Sequence, residues 1–237
     1  MACELAFLQN HLENSREIKI GPYVFFQGTF YNKPVVLSRL QIGFAHTAAA
    51  TVLAIHTFDP KIIINQGTAG GYKDDLHNYA IVVGERYFNG GAIFTQSSPE
   101  EKETEKLPWE FLHLGSLERA ESLDQCVSQR PFYSYSSEDL VAKVMAKAPN
   151  YTKGKIRKGT IASAEEWNSD PSYLRQLSRV TGADCEEMEA AAAGKIAAAY
   201  NLPFISIKII SNNNVTGEVF DPQTAVALQE FIWVLFK

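Results

Sequence analysis

Four short apolar runs limit what this chain can fold into more than any other feature of it. They are KIIIN from Lys61, AIVVGERYF from Ala80, GTIAS from Gly159 and FISIKIIS from Phe204. KIIIN is apolar without the alternation of a strand with one wet face, AIVVGERYF begins in the same way and the other two are similar runs, so each reads as a strand buried on both faces. Between them lie strong helix formers: GFAHTAAATVLAIHT over residues 43–57 has no internal breaker, and EMEAAAAGKIAAAYN is richer still in Ala. Strands alternating with helices predict an α/β domain with a mostly parallel sheet. Ahead of them, YVFFQGTFY and PVVLSRL predict an antiparallel hairpin turning at Asn32 and Lys33. Residues 97–150 are the least regular; the first half reads as a loop or lid, the second, from Ser137, as a capped helix. There is no internal repeat and no linker.

The 237 residues, 46% apolar and 21% charged, supply a core that needs no staples. Disorder, a collagen-like fibre and a disulfide-framed mini-protein are excluded. Twenty-two basic against 27 acidic residues leave a net charge of −5, and no run of Lys or Arg could neutralise a line of phosphates, which argues against nucleic acid as a partner. Cys3, Cys126 and Cys185 are odd in number, far apart and never at zinc or redox spacing, as expected of a reduced, cytoplasmic protein. No apolar stretch approaches the roughly 20 residues of a membrane span, and no basic segment leads into an apolar one at the start.

Chemistry concentrates in two strings. NQGTAGG, residues 65–71, brings small residues to the place where the carboxyl edge of such a sheet opens to ligands. It lacks the Lys of a phosphate-gripping loop and the spacing of a dinucleotide fingerprint, so a tight structural turn accounts for it equally well. CEEMEAAAAGKIA crowds Glu186, Glu187 and Glu189 at the start of a helix, where the macrodipole alone would favour acids. Its company raises its weight: PFISIKIISNN follows, with Asn212 lying 23 positions after Glu189.

With IIINQGTAGG, EEMEAAAAGKIA and PFISIKIISNN in this order and spacing, the chain resembles the purine nucleoside phosphorylase and nucleosidase superfamily, most closely its methylthioadenosine/S-adenosylhomocysteine nucleosidase branch. The resemblance runs from Glu4 nearly to the C-terminus. It implies a single domain over residues 1–237, a three-layer α/β sandwich around a twisted mixed β-sheet, binding a purine nucleoside in a cleft closed partly by a second copy in a homodimer. It also implies that the water-activating Glu is Glu4, in MACEL, and the ribose-binding Glu is Glu189, with Met188 under the sugar. Trp167 corresponds to the aromatic that stacks on the base and Thr68 to the loop hydroxyl; Ala69, Gly70 and Glu187 join the substrate-binding set. No cofactor or metal is implied. The family has a buried strand just before the water-activating Glu, so the resemblance implies a strand ahead of residue 1.

These residue types suit the chemistry on physical grounds. Breaking an N-glycosidic bond builds positive charge on the ribose and negative charge on the departing purine, so carboxylates belong beside the sugar and a donor beside the base. Two positions depart from the nucleosidase pattern. Asn212 stands where the family has the Asp that protonates N7, and an amide donates a hydrogen bond to N7 or O6 without delivering a proton; Asn213 and Asn214 are neighbouring candidates for that place. Lys208 stands where the family has an Arg, keeping the charge and losing the planar fork. Asn168 adds an amide near the base edge, so 6-oxopurine nucleosides stand beside methylthioadenosine as substrates. Asn65 occupies the place of the phosphorylases' phosphate-binding Arg, which favours hydrolysis over phosphorolysis, although Arg39 or Arg86 could reach the site. The rival readings are a phosphate-dependent phosphorylase for 6-oxopurine nucleosides and a binding protein that lost catalysis at Asn212. His46, His56, His77 and Cys185 read as packing or surface residues, and the aromatics of residues 87–94 as candidates for the 5′ pocket or a dimer seam.

Overall fold

The computed structural model describes residues 4–95, 109–116 and 119–237. The strand expected ahead of residue 1 and much of the expected lid lie outside them. A helix, α1 (Ala6–Asn10), leads into three antiparallel strands, β1 (Glu13–Ile20), β2 (Tyr23–Phe30) and β3 (Lys33–Arg39). The hairpin turns one residue earlier than expected, at Tyr31 and Asn32, both with positive φ, the geometry that matches the twist of a two-residue hairpin. The strand β1 has no signature in the sequence because nearly all of it is exposed. Next come α2 (Phe44–Phe58), β4 (Ile63–Gly71) and β5 (Ile81–Asn89). A small sheet of β6 (Ile93–Phe94), β7 (Glu110–Leu112) and β8 (Val127–Ser128) follows, then β9 (Ser134–Tyr135) and α3 (Glu138–Ala146), which begins after Ser137 but without a side-chain cap. The chain finishes with β10 (Ile156–Ser163), α4 (Pro171–Thr181), β11 (Cys185–Glu187), α5 (Ala190–Ala199), β12 (Phe204–Asn212) and α6 (Gln223–Val234).

The central sheet is mixed, in the order β10, β11, β4, β12, β5, β9, and twists so far that β10 also pairs with β5. The four apolar runs form β4, β5, β10 and β12, and β12 is buried along all but its last residue. Its odd-numbered Ile205, Ile207 and Ile209 meet Leu228, Phe231 and Ile232 of α6 and Val141 of α3 on one face. Phe204 and Ile210 turn to the other face, against the Ala-rich α5. Helices thus cover both faces, as the three-layer expectation required.

Three expectations are corrected here. NQGTAGG is not a loop: β4 runs through it to Gly71, because β12 pairs with it in parallel from Ile63 to Gly70 and β11 takes its other edge at Gly70 and Gly71. Glu186 and Glu187 do not open a helix; they belong to β11, and α5 begins only after Glu189. The aromatics Tyr87 and Phe88 are core residues, not pocket lining. Between β3 and the free edge of β4 runs an apolar groove floored by Ala50, Ala54 and Phe58 of α2.

Close packing of α5 on the sheet depends on Gly194, since a methyl group there would overlap the ring of buried Tyr87. Gly194→Ala is expected to destabilise the protein by about 1–3 kcal/mol, the usual cost of overpacking, despite the better helix propensity of Ala. A urea midpoint unchanged from wild type would contradict this packing.

Candidate active site

The groove is continuous with a cleft at the carboxyl ends of β4 and β12, the usual position for a ligand in an open α/β sheet, and the two form one cavity of about 520 Å³. Glu4, Thr68, Ala69, Gly70, Trp167, Glu187, Met188, Glu189, Lys208 and Asn212 all line it. Asn168 does not; its N–H and side-chain amide are spent on Glu186. Asn213 and Asn214 are also engaged elsewhere: Asn213 donates to Lys73 O and Leu76 O, and Asn214 to Asn168 O. Asn212 is therefore the asparagine of the SNNN string that faces the cavity. A register shift between Ile210 and Asn212 in the pairing with β4 re-aims its side chain.

Lys208 is the hub. It lies on the face of β12 opposite Ile207 and Ile209, is 1% exposed, and pairs with Glu187 at 2.7 Å. Burial pushes its ammonium toward neutrality, but Glu187, Glu189 and Glu4 more than offset this and hold its pKa above the usual lysine value. Glu187 is saturated. Besides Lys208 it accepts from Ser163 Oγ, Glu189 N at 3.0 Å and Ala190 N at 2.9 Å, so it caps α5 and orients Lys208. It has no acceptor site left for a sugar, which corrects its place in the substrate-binding set.

Glu4 and Glu189 stand on either side of this pair. Glu4 Oε1 accepts from Thr68 N at 2.8 Å and Thr68 Oγ1 at 2.9 Å, and its backbone carbonyl from Gln66 Nε2. The approach is possible because residue 67 is Gly: a Cβ there would lie 3.0 Å from Glu4 Oε1 and 3.5 Å from Lys208 Nζ. Burial pushes the Glu4 carboxyl up, and among the described residues the Thr68 N–H and the charge of Lys208 pull it back down. Glu189 goes the other way: burial raises it, Glu187 and Glu4 add to the rise, and Lys208 and the Gly43 N–H recover only part. Its Oε1 accepts from Gly43 N at 3.1 Å, and Glu165 accepts from Phe44 N at 2.9 Å, so two carboxylates satisfy the N-terminus of α2. A carboxylate held ionised beside a hydroxyl is equipped to take a proton from water, and one facing the cavity from a helix start is equipped to grip a diol.

At the mouth, Trp167 is 68% exposed, offering an apolar plane to a flat ring. Among the described residues Arg39 is the one lining cation besides Lys208, while Arg86 is turned away onto Thr160 Oγ1 and the Tyr133 ring. Sequence reasoning singled out Glu186 only as an acid at a helix start and gave it no place in the site, and it passed over Tyr72, Ser163 and Gly43, of which only Gly43, just ahead of an Ala-rich run, carried a signal. His46, His56 and His77 contact Tyr23, Tyr200 and Glu218, and the described residues hold no group of three or more metal-ligating side chains.

A mixed α/β sheet with a carboxylate-rich cleft at its carboxyl edge defines the class. Within it the chain belongs to the phosphorylase superfamily, whose model matches residues 1–232. A 5′-methylthioadenosine/S-adenosylhomocysteine nucleosidase of Halalkalibacterium halodurans is 28% identical over 230 residues, 97% of this chain and 87% of the relative. The solved nucleosidase of that name from Neisseria meningitidis, in complex with methylthio-immucillin-A, superposes with a TM-score of 0.76 at 19% identity, covering 99% of this chain and 94% of that one. Futalosine hydrolase of Helicobacter pylori strain 26695 superposes equally well, TM-score 0.76 at 21% identity, with 99% and 93% covered. The three-layer nucleoside phosphorylase-like fold is therefore this chain's own.

The ion pair has a testable cost. Lys208→Met strands the Glu187 carboxylate in the core and is expected to lose about 3–5 kcal/mol of stability in urea unfolding. Adding Glu187→Gln should recover much of that loss, since the uncompensated charge is then gone. Equal stability of the single and double variants would show that packing, not charge, sets the cost.

Proposed function

We propose that this protein is a purine nucleosidase, hydrolysing the N-glycosidic bond of methylthioadenosine/S-adenosylhomocysteine-type or related purine nucleosides. The observation that carries the reading is the pairing of two carboxylates, Glu4 and Glu189, around Lys208 in one cleft. Glu4, ionised and bonded to Thr68, orients and deprotonates the attacking water. Glu189 accepts from the ribose hydroxyls, and Met188 and Trp167 pack the sugar and base. As the bond to C1′ breaks, positive charge on the ribose meets these carboxylates, and the purine leaves against the amide of Asn212. The names of the curated relatives support the same reading.

Water rather than phosphate is the nucleophile. Asn65, in the phosphorylases' Arg position, is buried and accepts from Ser206 Oγ at 3.0 Å. Lys208 is already neutralised by Glu187, leaving Arg39 as the one lining cation among the described residues to face a dianion. Free base should be released from purine nucleosides without phosphate, and Glu4→Gln should lower kcat by about a hundredfold or more. Cleavage only with phosphate would make the protein a phosphorylase; nucleoside binding without cleavage would make it a binding protein.

The reading includes a cytoplasmic homodimer. Buried, unpaired Cys126 and Cys185 support a reducing compartment. Ile42, Trp167 and Phe220 leave the rim of the cavity apolar and exposed, as an interface for a second copy would be. Sedimentation equilibrium is expected to return twice the 26.4 kDa chain mass; a monomer at micromolar concentration would remove the dimer.

A further inference from the structure

At the base end of the cavity the strand register puts three residues in a row. Gly70 of β4 pairs with Asn212 of β12 on one side and with Glu186 of β11 on the other. A Cβ on Gly70 would lie 3.5 Å from Asn212 Nδ2 and 3.6 Å from Glu186 Cγ, so the two side chains flank the glycine on its open side. Both line the cavity. The Asn212 amide is oriented by Ser211 Oγ, which donates to Oδ1 at 3.2 Å, and its Nδ2 makes no hydrogen bond among the described residues. Glu186 Oε2 accepts from Tyr72 Oη at 2.6 Å and from Asn168 Nδ2 at 2.8 Å, which fills both its lone pairs. Oε1 accepts only from Asn168 N, at 3.2 Å, and keeps one lone pair. The site thus offers a purine one donor and, beside it, one acceptor.

We propose that Glu186 is a specificity-determining residue that, together with Asn212, selects 6-oxopurine nucleosides. This rests on the nucleosidase reading above. On the edge of a 6-oxopurine the carbonyl O6, an acceptor, adjoins N1–H, a donor; Asn212 Nδ2 donates to the first and Glu186 Oε1 accepts from the second. A 6-aminopurine has the opposite pattern there, and its N1 lone pair would face the carboxylate. The leaving group gives the same answer. Negative charge that develops on a departing 6-oxopurine is delocalised onto O6, where a hydrogen bond stabilises it without proton transfer. A departing adenine has no such oxygen and depends on a proton at N7, which an amide cannot supply. Tyr72 and Asn168 act through Glu186 as positioning residues.

The test combines base binding with turnover. By calorimetry, wild-type protein is expected to bind hypoxanthine at least about tenfold more tightly than adenine, the scale of one hydrogen bond to a charged group. Inosine should exceed adenosine in kcat/KM in the same direction. Glu186→Gln, nearly isosteric, keeps its amide oxygen toward Tyr72 and Asn168 Nδ2, gives up the long bond from Asn168 N and turns its NH₂ to the base, so the preference should fall about tenfold or reverse, mainly through KM. Tyr72→Phe, which leaves Glu186 in place but loosened, should weaken the preference by a smaller factor. Tighter binding of adenine by the wild type, or an unchanged ratio in folded Glu186→Gln, overturns the assignment while leaving the nucleosidase standing. Absence of both binding and cleavage across purine nucleosides overturns the nucleosidase reading and this inference with it.

Discussion

The buried pair of Lys208 and Glu187 is the interaction on which the rest of the site depends. Taking two charges out of water is expensive, and such a pair persists only where its geometry is good and its remaining valences are filled. Here Ser163 ties Glu187 to β10, the amides of Glu189 and Ala190 tie it to the start of α5, and Lys208 ties it to β12. Three elements distant in sequence are thus held at one point. The Lys208 charge then acts outward on Glu4 and Glu189. Removing it would free both carboxylates to repel one another and would unseat the α5 cap at the same stroke.

The second constraint is how closely backbones must approach for this junction to exist. Glycine at 67 leaves room for the Glu4 carboxylate, and glycine at 71 leaves room for the Asn213 amide, which a Cβ there would approach to 2.9 Å. The small residues of NQGTAGG are therefore explained by what packs across them and not by a turn. Because β4 remains a strand throughout, it positions Thr68 and Gly70 with a rigidity that a loop would lack. The bulge that follows Ile210 breaks the pleat at the one place where β12 must present Asn212 sideways into the cavity.

The same physics decides what could be read from the sequence. Strands buried on both faces announce themselves, so β4, β5, β10 and β12 were legible from their apolar runs, and Ala-rich α2 and α5 from their propensity. Strand β1 was not, since only Ile18 and Ile20 reach the core and its remaining side chains face water. The helix α4 carried a full set of signals that went unread: Asp170 caps it by accepting from Ser172 N, Pro171 opens it, and Gly182 closes it in a left-handed conformation. Glu186 and Glu187 looked like helix-start acids because adjacent residues share a local sequence but point to opposite faces of a strand. Only the pairing of β11 with β4 and β10 sends Glu187 to Lys208 and Glu186 to Tyr72. Asn168 was placed at the base for its residue type, whereas its amide is used up orienting Glu186.

Charge balance links these features to the chemistry proposed. Around the sugar end of the cavity, Glu4, Glu187 and Glu189 stand against one ammonium, Lys208, which leaves an excess of negative charge in a largely buried place. Such a field opposes entry of a phosphate dianion and favours a centre that becomes positive, as C1′ does when its bond to nitrogen lengthens. Replacing Arg by Lys at 208 preserves that balance, because the partner carboxylate needs one compensating charge, and Ser163 and two backbone N–H groups supply the remaining hydrogen bonds a fork would have made. Replacing Asp by Asn at 212 removes a further carboxylate from the same field, at the end where the purine becomes negative. The negative charge beside C1′ thus stays with Glu4, Glu187 and Glu189, while at the base end the Asn212 amide stands next to a single carboxylate, Glu186, whose charge is spread over bonds from Tyr72 and Asn168.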